Sequence, residues 1–142
     1  MKIITRSANE TIDFARTIGE KLKGGEVIAY KGGLGAGKTT FTKGLADGIG
    51  LDAEVTSPTF ALVNEYRAKG KPVIYHFDMY RIETLDDLYA TGFFDYLDGE
   101  SILAIEWSEN ITDALPDDTI YVEIKTISDD TREITVMGGA FK

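Results

Sequence analysis

The sequence predicts an α/β fold: a three-layer sandwich of the P-loop NTPase kind, on a mixed sheet with a parallel centre and antiparallel additions. Three observations predict it. Residues Gly32-Gly33-Leu34-Gly35-Ala36-Gly37-Lys38-Thr39 spell G-x-x-x-x-G-K-T. The run Glu26-Val27-Ile28-Ala29-Tyr30 enters that loop as a buried parallel strand would. Strand and helix patterns alternate at first, then strands accumulate.

In chain order, a short strand near Lys2–Thr5 precedes a helix. Ser7-Ala8-Asn9-Glu10 has capping-box spacing, so the helix starts there. Ile12, Ala15, Ile18 and Leu22 share one face, and Gly24-Gly25 ends the helix after about Lys23. The loop strand follows, then a helix from Thr40 to Ile49 with Phe41, Leu45 and Ile49 at helical spacing and Gly50 as its stop. Residues 51–59 are irregular, broken by Ser57-Pro58. Phe60–Tyr66 and Val73–Asp78 read as strands joined by a Lys69-Gly70-Lys71-Pro72 turn, a hairpin-like pair. Thr84 caps a short helix to Gly92, with Leu85, Leu88 and Tyr89 expected to face inward; Phe93–Leu97 continue as a helical turn. Ser101–Glu106 is an apolar strand, and Thr119–Thr126 and Arg132–Met137 are late strands around a turn at Ser128-Asp129-Asp130-Thr131.

The 142 residues fit one domain, 1–142, with 43% hydrophobic residues to fill a core. That length leaves no room for a lid domain. No run of about eighteen apolar residues exists, so no membrane span is expected. The N-terminus lacks the apolar centre of a signal peptide, and there are no cysteines; both agree with a cytoplasmic address. A net charge of −9 without a run of basic residues disfavours direct grip on a nucleic acid. The same acidity also serves solubility alone.

The loop is where the chemistry begins. Its glycines let backbone amides turn toward phosphate oxygens, Lys38 can reach the β- and γ-phosphates, and the Thr39 hydroxyl can ligate Mg²⁺. The helix that follows presents its positive end to the same anion. Such a loop needs a further acid to position the metal or the attacking water. Asp78 and Glu106 qualify, each at the C-terminal end of an apolar strand, where ligands bind in open α/β sheets. Spacing alone does not divide the roles between them, and a single strand-end acid is often only a surface charge or a cap. His76, the sole histidine, shares a strand face with Asp78 and reads more readily as a hydrogen-bonded core residue than as a catalyst. Trp107, the sole tryptophan, could stack on a purine or pack in the core. Arg81 could stabilise phosphoryl charge, contact a partner or tie down its loop. The hydroxyls of Thr56, Ser57 and Thr59 could sense the γ-phosphate, or simply cap a Ser-Pro turn.

Taken together, Leu34-Gly35-Ala36-Gly37-Lys38-Thr39-Thr40, Ser57-Pro58-Thr59-Phe60, His76-Phe77-Asp78-Met79-Tyr80-Arg81 and Ile105-Glu106-Trp107, in that order and separation, resemble the TsaE family. This is the small ATPase of bacterial threonylcarbamoyl-adenosine synthesis. The resemblance spans almost the whole chain. It implies that Gly35, Ala36, Gly37, Lys38, Thr39 and Thr40 hold the triphosphate of ATP or ADP, and that Thr39 and Glu106 ligate Mg²⁺. It implies that Asp78, with Lys38, serves hydrolysis, that Trp107 lies at the adenine, and that Thr56, Ser57 and Thr59 form a nucleotide-responsive switch. Asn9, Thr11 and Arg132 match regions that contact the nucleotide. Gly33 departs from the family, where relatives often carry an acid. The resemblance further implies an ATPase subunit, slow alone and stimulated by partners, needed for the modification at the adenosine beside the anticodon. The partners it implies are TsaD and TsaB, whose complex ATP turnover resets, with tRNA met only through that complex. A small P-loop kinase and a nucleotide-gated binding module without turnover are the rival readings. A GTPase is disfavoured because no Asn-Lys-x-Asp motif occurs.

Overall fold

The computed structural model describes residues 1–33, 35–58 and 62–141. Its seven strands are β1 Lys2–Thr5, β2 Val27–Lys31, β3 Val63–Tyr66, β4 Ile74–Asp78, β5 Ile102–Glu106, β6 Ile120–Thr126 and β7 Arg132–Met137. The α-helices are α1 Ala8–Gly19, α2 Lys38–Ile49 and α3 Leu85–Ala90. Two 3₁₀ segments, Phe93–Tyr96 and Ser108–Ala114, complete the order. The strands lie in one sheet as β1-β7-β6-β2-β5-β4-β3. β6, β2, β5 and β4 are parallel, while β7 and β1 at one edge and β3 at the other run antiparallel to their neighbours. This is the expected mixed sheet with a parallel centre.

Strand alternation builds the three layers. Ile102 and Ala104 of β5 pack into a cluster with Ile18, Phe41 and Leu45 of α1 and α2. The intervening Leu103 and Ile105 pack on the other face with Phe77, Leu88, Phe93 and Ile111. Side chains two apart share a face, so each buried strand feeds both cores.

The helix boundaries differ from the sequence pattern in physically clear ways. Ser7 caps α1 by accepting from the Glu10 amide at 3.1 Å, but the Glu10 carboxylate reaches back to the Arg6 amide rather than to Ser7. The helix ends at Gly19, four residues early, because the last turn tightens: the Lys21 and Leu22 amides donate to Ile18 and Gly19 carbonyls. Leu22 stays in the core from outside the helix. In α3 the reciprocal Thr84–Asp87 capping box is present. Of its three expected inward residues only Leu88 is buried; Leu85 and Tyr89 are 59% and 62% exposed. One and a half turns present a single position to the sheet, and Ile82 and Phe93, just beyond the ends, fill the core on either side. The expected strand over Phe60–Tyr66 is seen as Val63–Tyr66; Phe60 and Ala61 lie outside the described residues. The segment Ser108–Ala114 is helical without a sequence signal for it, with a kink at Ile111.

α1 and α2 cross at glycine-width separation. A Cβ on Gly48 would sit 2.3 Å from the Arg16 carbonyl oxygen, and one on Gly44 would sit 2.5 Å from both the Ile12 carbonyl oxygen and the Ala15 Cβ. Ala normally stabilises a helix interior over Gly by about 1 kcal/mol. Here the sign reverses, because backbone must move to admit the methyl. Gly48→Ala is expected to lower unfolding free energy by about 1–3 kcal/mol. The check is the denaturant midpoint at constant m-value; an unchanged or raised midpoint would mean the two helices part freely.

Candidate functional site

The loop leaves β2 at Lys31 and enters α2 at Lys38. Gly37, at φ 111°, makes that entry, a conformation an L side chain strongly resists. Phe41 and Leu45 anchor α2 on the sheet. At its base the Thr42 hydroxyl donates to the Lys38 carbonyl at 2.9 Å and meets the Tyr30 hydroxyl at 2.7 Å. Burial, above all, holds the Tyr30 phenol well above its ordinary pKa, so it stays a neutral hydroxyl that ties β2 to α2.

β4 and β5 pair with His76 opposite Ala104 and Asp78 opposite Glu106. In a parallel ladder that register puts both carboxylates on one face, side by side at the C-terminal end of the sheet. Glu106 and Lys38 are each only 6% exposed. The Lys38 ammonium lies 3.8 Å from Glu106 Oε1 and donates to the Gly32 carbonyl at 3.2 Å. His76 Nε2 meets Glu106 Oε2 at 2.6 Å, as a donor, because a carboxylate only accepts. His76 Nδ1 faces the Tyr66 hydroxyl at 3.2 Å. His76 is fully buried and hydrogen-bonded on both nitrogens. The Asp78 carboxylate accepts from the Tyr80 amide at 2.9 Å and is buried as well.

An open cavity of about 320 Å³ is lined by Gly35, Gly37, Lys38, Thr39, Thr40, Ser57, Glu106 and Trp107. A smaller hollow of about 150 Å³ continues behind the loop, lined by Ser7, Ala8, Thr11, Gly37, Thr40, Asp129, Asp130 and Arg132. The fold therefore brings together most of the residues singled out from the sequence, from the loop to Trp107. Asp78 lies one strand away, beside the cavity rather than in its lining. Asn9 is exposed on the first turn of α1, outside the linings of both hollows. Thr11 is buried, its hydroxyl 2.7 Å from that of Thr5. Arg81 is exposed. Thr59 and Leu34 lie outside the described residues.

Trp107 follows β5 at φ 58°, one of two described non-glycine residues at positive φ. Such a conformation costs roughly 1–3 kcal/mol unless its surroundings hold it. The surroundings do: the Ser108 hydroxyl donates to the Tyr30 carbonyl at 3.0 Å, and the Asn110 amide group to the Met79 carbonyl at 2.8 Å. The turn leaves the indole half-buried, edge-on to Tyr80 with centroids 5.0 Å apart and 5.1 Å from the Lys38 ammonium.

Arg132 reaches back from β7 to the loop. Its guanidinium donates to the Ala36 carbonyl at 3.0 Å and the Gly35 carbonyl at 3.4 Å, and also to Ser128, Asp129 and Thr131 carbonyls. These backbone contacts fix the loop to the β6–β7 turn. Thr42, Tyr30, Tyr66 and Ser108 were not marked by the sequence pattern. Their hydroxyls act through partners distant in the chain, and only the place of Tyr30 in the apolar run of β2 hinted at burial.

The donor chemistry fits Mg²⁺. Thr39 and Glu106 offer hard oxygen ligands on one cavity, and such sites use one or two carboxylates with substrate phosphates and water. Among the described residues no cluster of three or more His, Cys, Asp or Glu could cage a metal alone.

A family model described as "Threonylcarbamoyl adenosine biosynthesis protein TsaE" matches residues 5–134. The chain is 39% identical over 136 residues to the tRNA threonylcarbamoyladenosine biosynthesis protein TsaE of Treponema pallidum, covering 96% of this chain and 99% of that one. It is 40% identical over 135 residues to the protein of that name from Bacillus subtilis, covering 95% and 84%. For the Aquifex aeolicus protein the identity is 41% over 140 residues, covering 95% and 94%. The crystal structure of Bacillus subtilis YdiB superposes with a TM-score of 0.79 at 36% identity, over 97% of this chain and 84% of that chain.

Proposed function

The chain belongs to the TsaE family of tRNA threonylcarbamoyladenosine biosynthesis, and from that premise we propose that it is a Mg²⁺-dependent ATP hydrolase. The observation that carries the reading is the convergence of Lys38, Thr39, Glu106 and Trp107 on one open cavity at the C-terminal end of a parallel sheet. A buried ammonium and a buried carboxylate in one cavity suit an anionic ligand with a divalent cation.

In this reading the loop amides and Lys38 grip the β- and γ-phosphates, and the N-terminus of α2 adds its positive end. Thr39 and Glu106 would hold Mg²⁺, which when bound neutralises charge on the phosphates. Glu106 keeps Oε1 toward the cavity side, beside Lys38, while His76 occupies Oε2. Asp78 orients the attacking water from the neighbouring strand. Arg132 keeps the loop carbonyls turned away, leaving amides for the ligand. Thr56, Ser57 and Thr59 respond to what is bound. Trp107 stands at the nucleotide, and Thr11 and Arg132 border the hollow beyond the loop, with Asn9 near it on α1.

We place the ATPase in the service of TsaD and TsaB, with turnover resetting their complex and tRNA held there rather than here. The net charge of −9 supports this, since an acidic chain meets proteins more readily than a phosphate backbone. Among the described residues no helix is long and apolar enough to cross a membrane.

The test is calorimetric titration of the purified chain with ADP and a non-hydrolysable ATP analogue, with Mg²⁺, beside phosphate release from ATP with and without the partners. Binding of both nucleotides and partner-stimulated phosphate release are expected. Transfer of phosphate to a metabolite would point to a kinase instead. Trp107 supplies a separate readout: ADP is expected to change its fluorescence, as the only indole in the chain leaves the signal unambiguous. A constant emission during calorimetrically confirmed binding would remove Trp107 from the site.

A further inference from the structure

A line of hydrogen bonds leaves the cavity wall, buried from Glu106 to Tyr66 and more exposed where it reaches Thr56, one residue short of the wall again. It begins at Glu106, whose Oε2 meets His76 Nε2 at 2.6 Å. Across the imidazole, Nδ1 meets the Tyr66 hydroxyl at 3.2 Å. Tyr66 donates to the Thr56 carbonyl at 3.1 Å. Asn64, two residues back on β3, donates to the same carbonyl at 3.1 Å and to the Thr56 hydroxyl at 3.2 Å. The residue after Thr56 is Ser57, which lines the cavity together with Glu106. One end of the line is therefore in the cavity wall, and the other is joined to that wall through a single peptide.

We propose that His76 and Tyr66 are positioning residues that couple the orientation of the Glu106 carboxylate to the placement of the Thr56–Ser57 segment. The inference rests on the nucleotide-site reading above and adds to it the route by which one wall learns the state of the other.

Three features carry it. Its buried part is satisfied: no buried side-chain nitrogen or oxygen among the described residues lacks a partner. A satisfied buried network is stiff, and displacing Oε2 would strand an imidazole nitrogen in the core, so the ring follows the carboxylate. The ring cannot turn without Tyr66, whose own ring packs on it at 6.0 Å. Burial, first of all, raises the Tyr66 pKa, so the phenol stays a donor at neutral pH. At the far end residues 51–58 form no helix or strand, and side chains from β3 hold Thr56 in place. A stiff line ending on a segment held by few side-chain hydrogen bonds passes displacement to that segment.

The test uses the full chain as wild type, Tyr66→Phe, His76→Gln and Glu106→Gln, with amide hydrogen exchange over residues 51–58 as the readout. In the absence of nucleotide, Glu106→Gln is expected to speed exchange there about fivefold, the scale of one lost hydrogen bond. In a Tyr66→Phe background the same change is expected to add nothing further. With Mg²⁺ present, the ATP analogue and ADP are expected to protect 51–58 differently in wild type. That difference should vanish in Tyr66→Phe, while ADP affinity read from Trp107 shifts less than about threefold. His76→Gln, which keeps a donor for Glu106 but loses the Tyr66 contact, should behave as Tyr66→Phe. Additive effects of Glu106→Gln and Tyr66→Phe without nucleotide would overturn the coupling. So would a Tyr66→Phe protein that is merely less stable but keeps the wild-type difference between the two nucleotides. Failure of wild type to bind nucleotide would strike the nucleotide-site reading instead, and the nucleotide-free comparison would still decide the coupling.

Discussion

Lys38→Ala abolishes ATP turnover and weakens nucleotide binding: that is the expected result of removing the only ammonium among the described residues lining the main cavity. Loss of one preorganised charge-stabilising donor typically lowers kcat by about 10²–10³-fold, about 2.7–4 kcal/mol. The effect here should reach at least that size. Lys38 sits 3.8 Å from a buried Glu106, so the variant also leaves that carboxylate without its ammonium neighbour, hydrogen-bonded to His76 alone. Binding must therefore fall as well, because the phosphates would meet an uncompensated negative charge. Steady-state phosphate release and calorimetry measure the two losses. A variant with wild-type turnover would show that the loop is a structural turn and not a phosphate site.

Asp78→Asn should separate the two properties. Asn keeps an oxygen where the Asp78 carboxylate accepts from the Tyr80 amide at 2.9 Å, so the strand end stays closed. It loses only the charge and basicity needed to orient and polarise water. Turnover is expected to drop by about 10²–10⁴-fold, the usual worth of a positioned general base. ADP affinity should stay within a few-fold, because Asp78 stands outside the cavity lining. Calorimetry beside single-turnover hydrolysis checks both. If affinity collapses with turnover, Asp78 carries the metal or the fold rather than the water.

How much of this was legible in the sequence depended on the range of each interaction. The loop was legible because its chemistry is local: glycine at positive φ, then Lys and Thr at the helix start. The strand-end acids were legible because each closes a short apolar run, where β4 and β5 stop. Their register, Asp78 against Glu106, was not, since pairing joins residues 28 apart and no local pattern encodes an offset. His76 read as a packed, hydrogen-bonded strand residue, and it is one; its partners on β5 and β3 could not be read. The glycine-width crossing of α1 and α2 left a trace in Gly44 and Gly48, four apart on one helix, but the facing surface was needed to interpret it. Leu85 and Tyr89 misled because a helix of six residues is too short for spacing to fix a face. Arg132 lies 96 residues from the carbonyl it binds. Thr59 and the start of the expected strand at Phe60 fall outside the described residues.

The grip of Arg132 on the Gly35 and Ala36 carbonyls has an engineering consequence. Surface hairpin tips are usually the safest places to splice in a tag or a foreign segment, since each added residue costs little entropy. The 127–131 tip is an exception, because its carbonyls and the loop's share one guanidinium. Lengthening it would slacken a strap on the ligand pocket while leaving the scaffold's melting point nearly intact, so a fusion there would look healthy in a thermal screen and still be crippled.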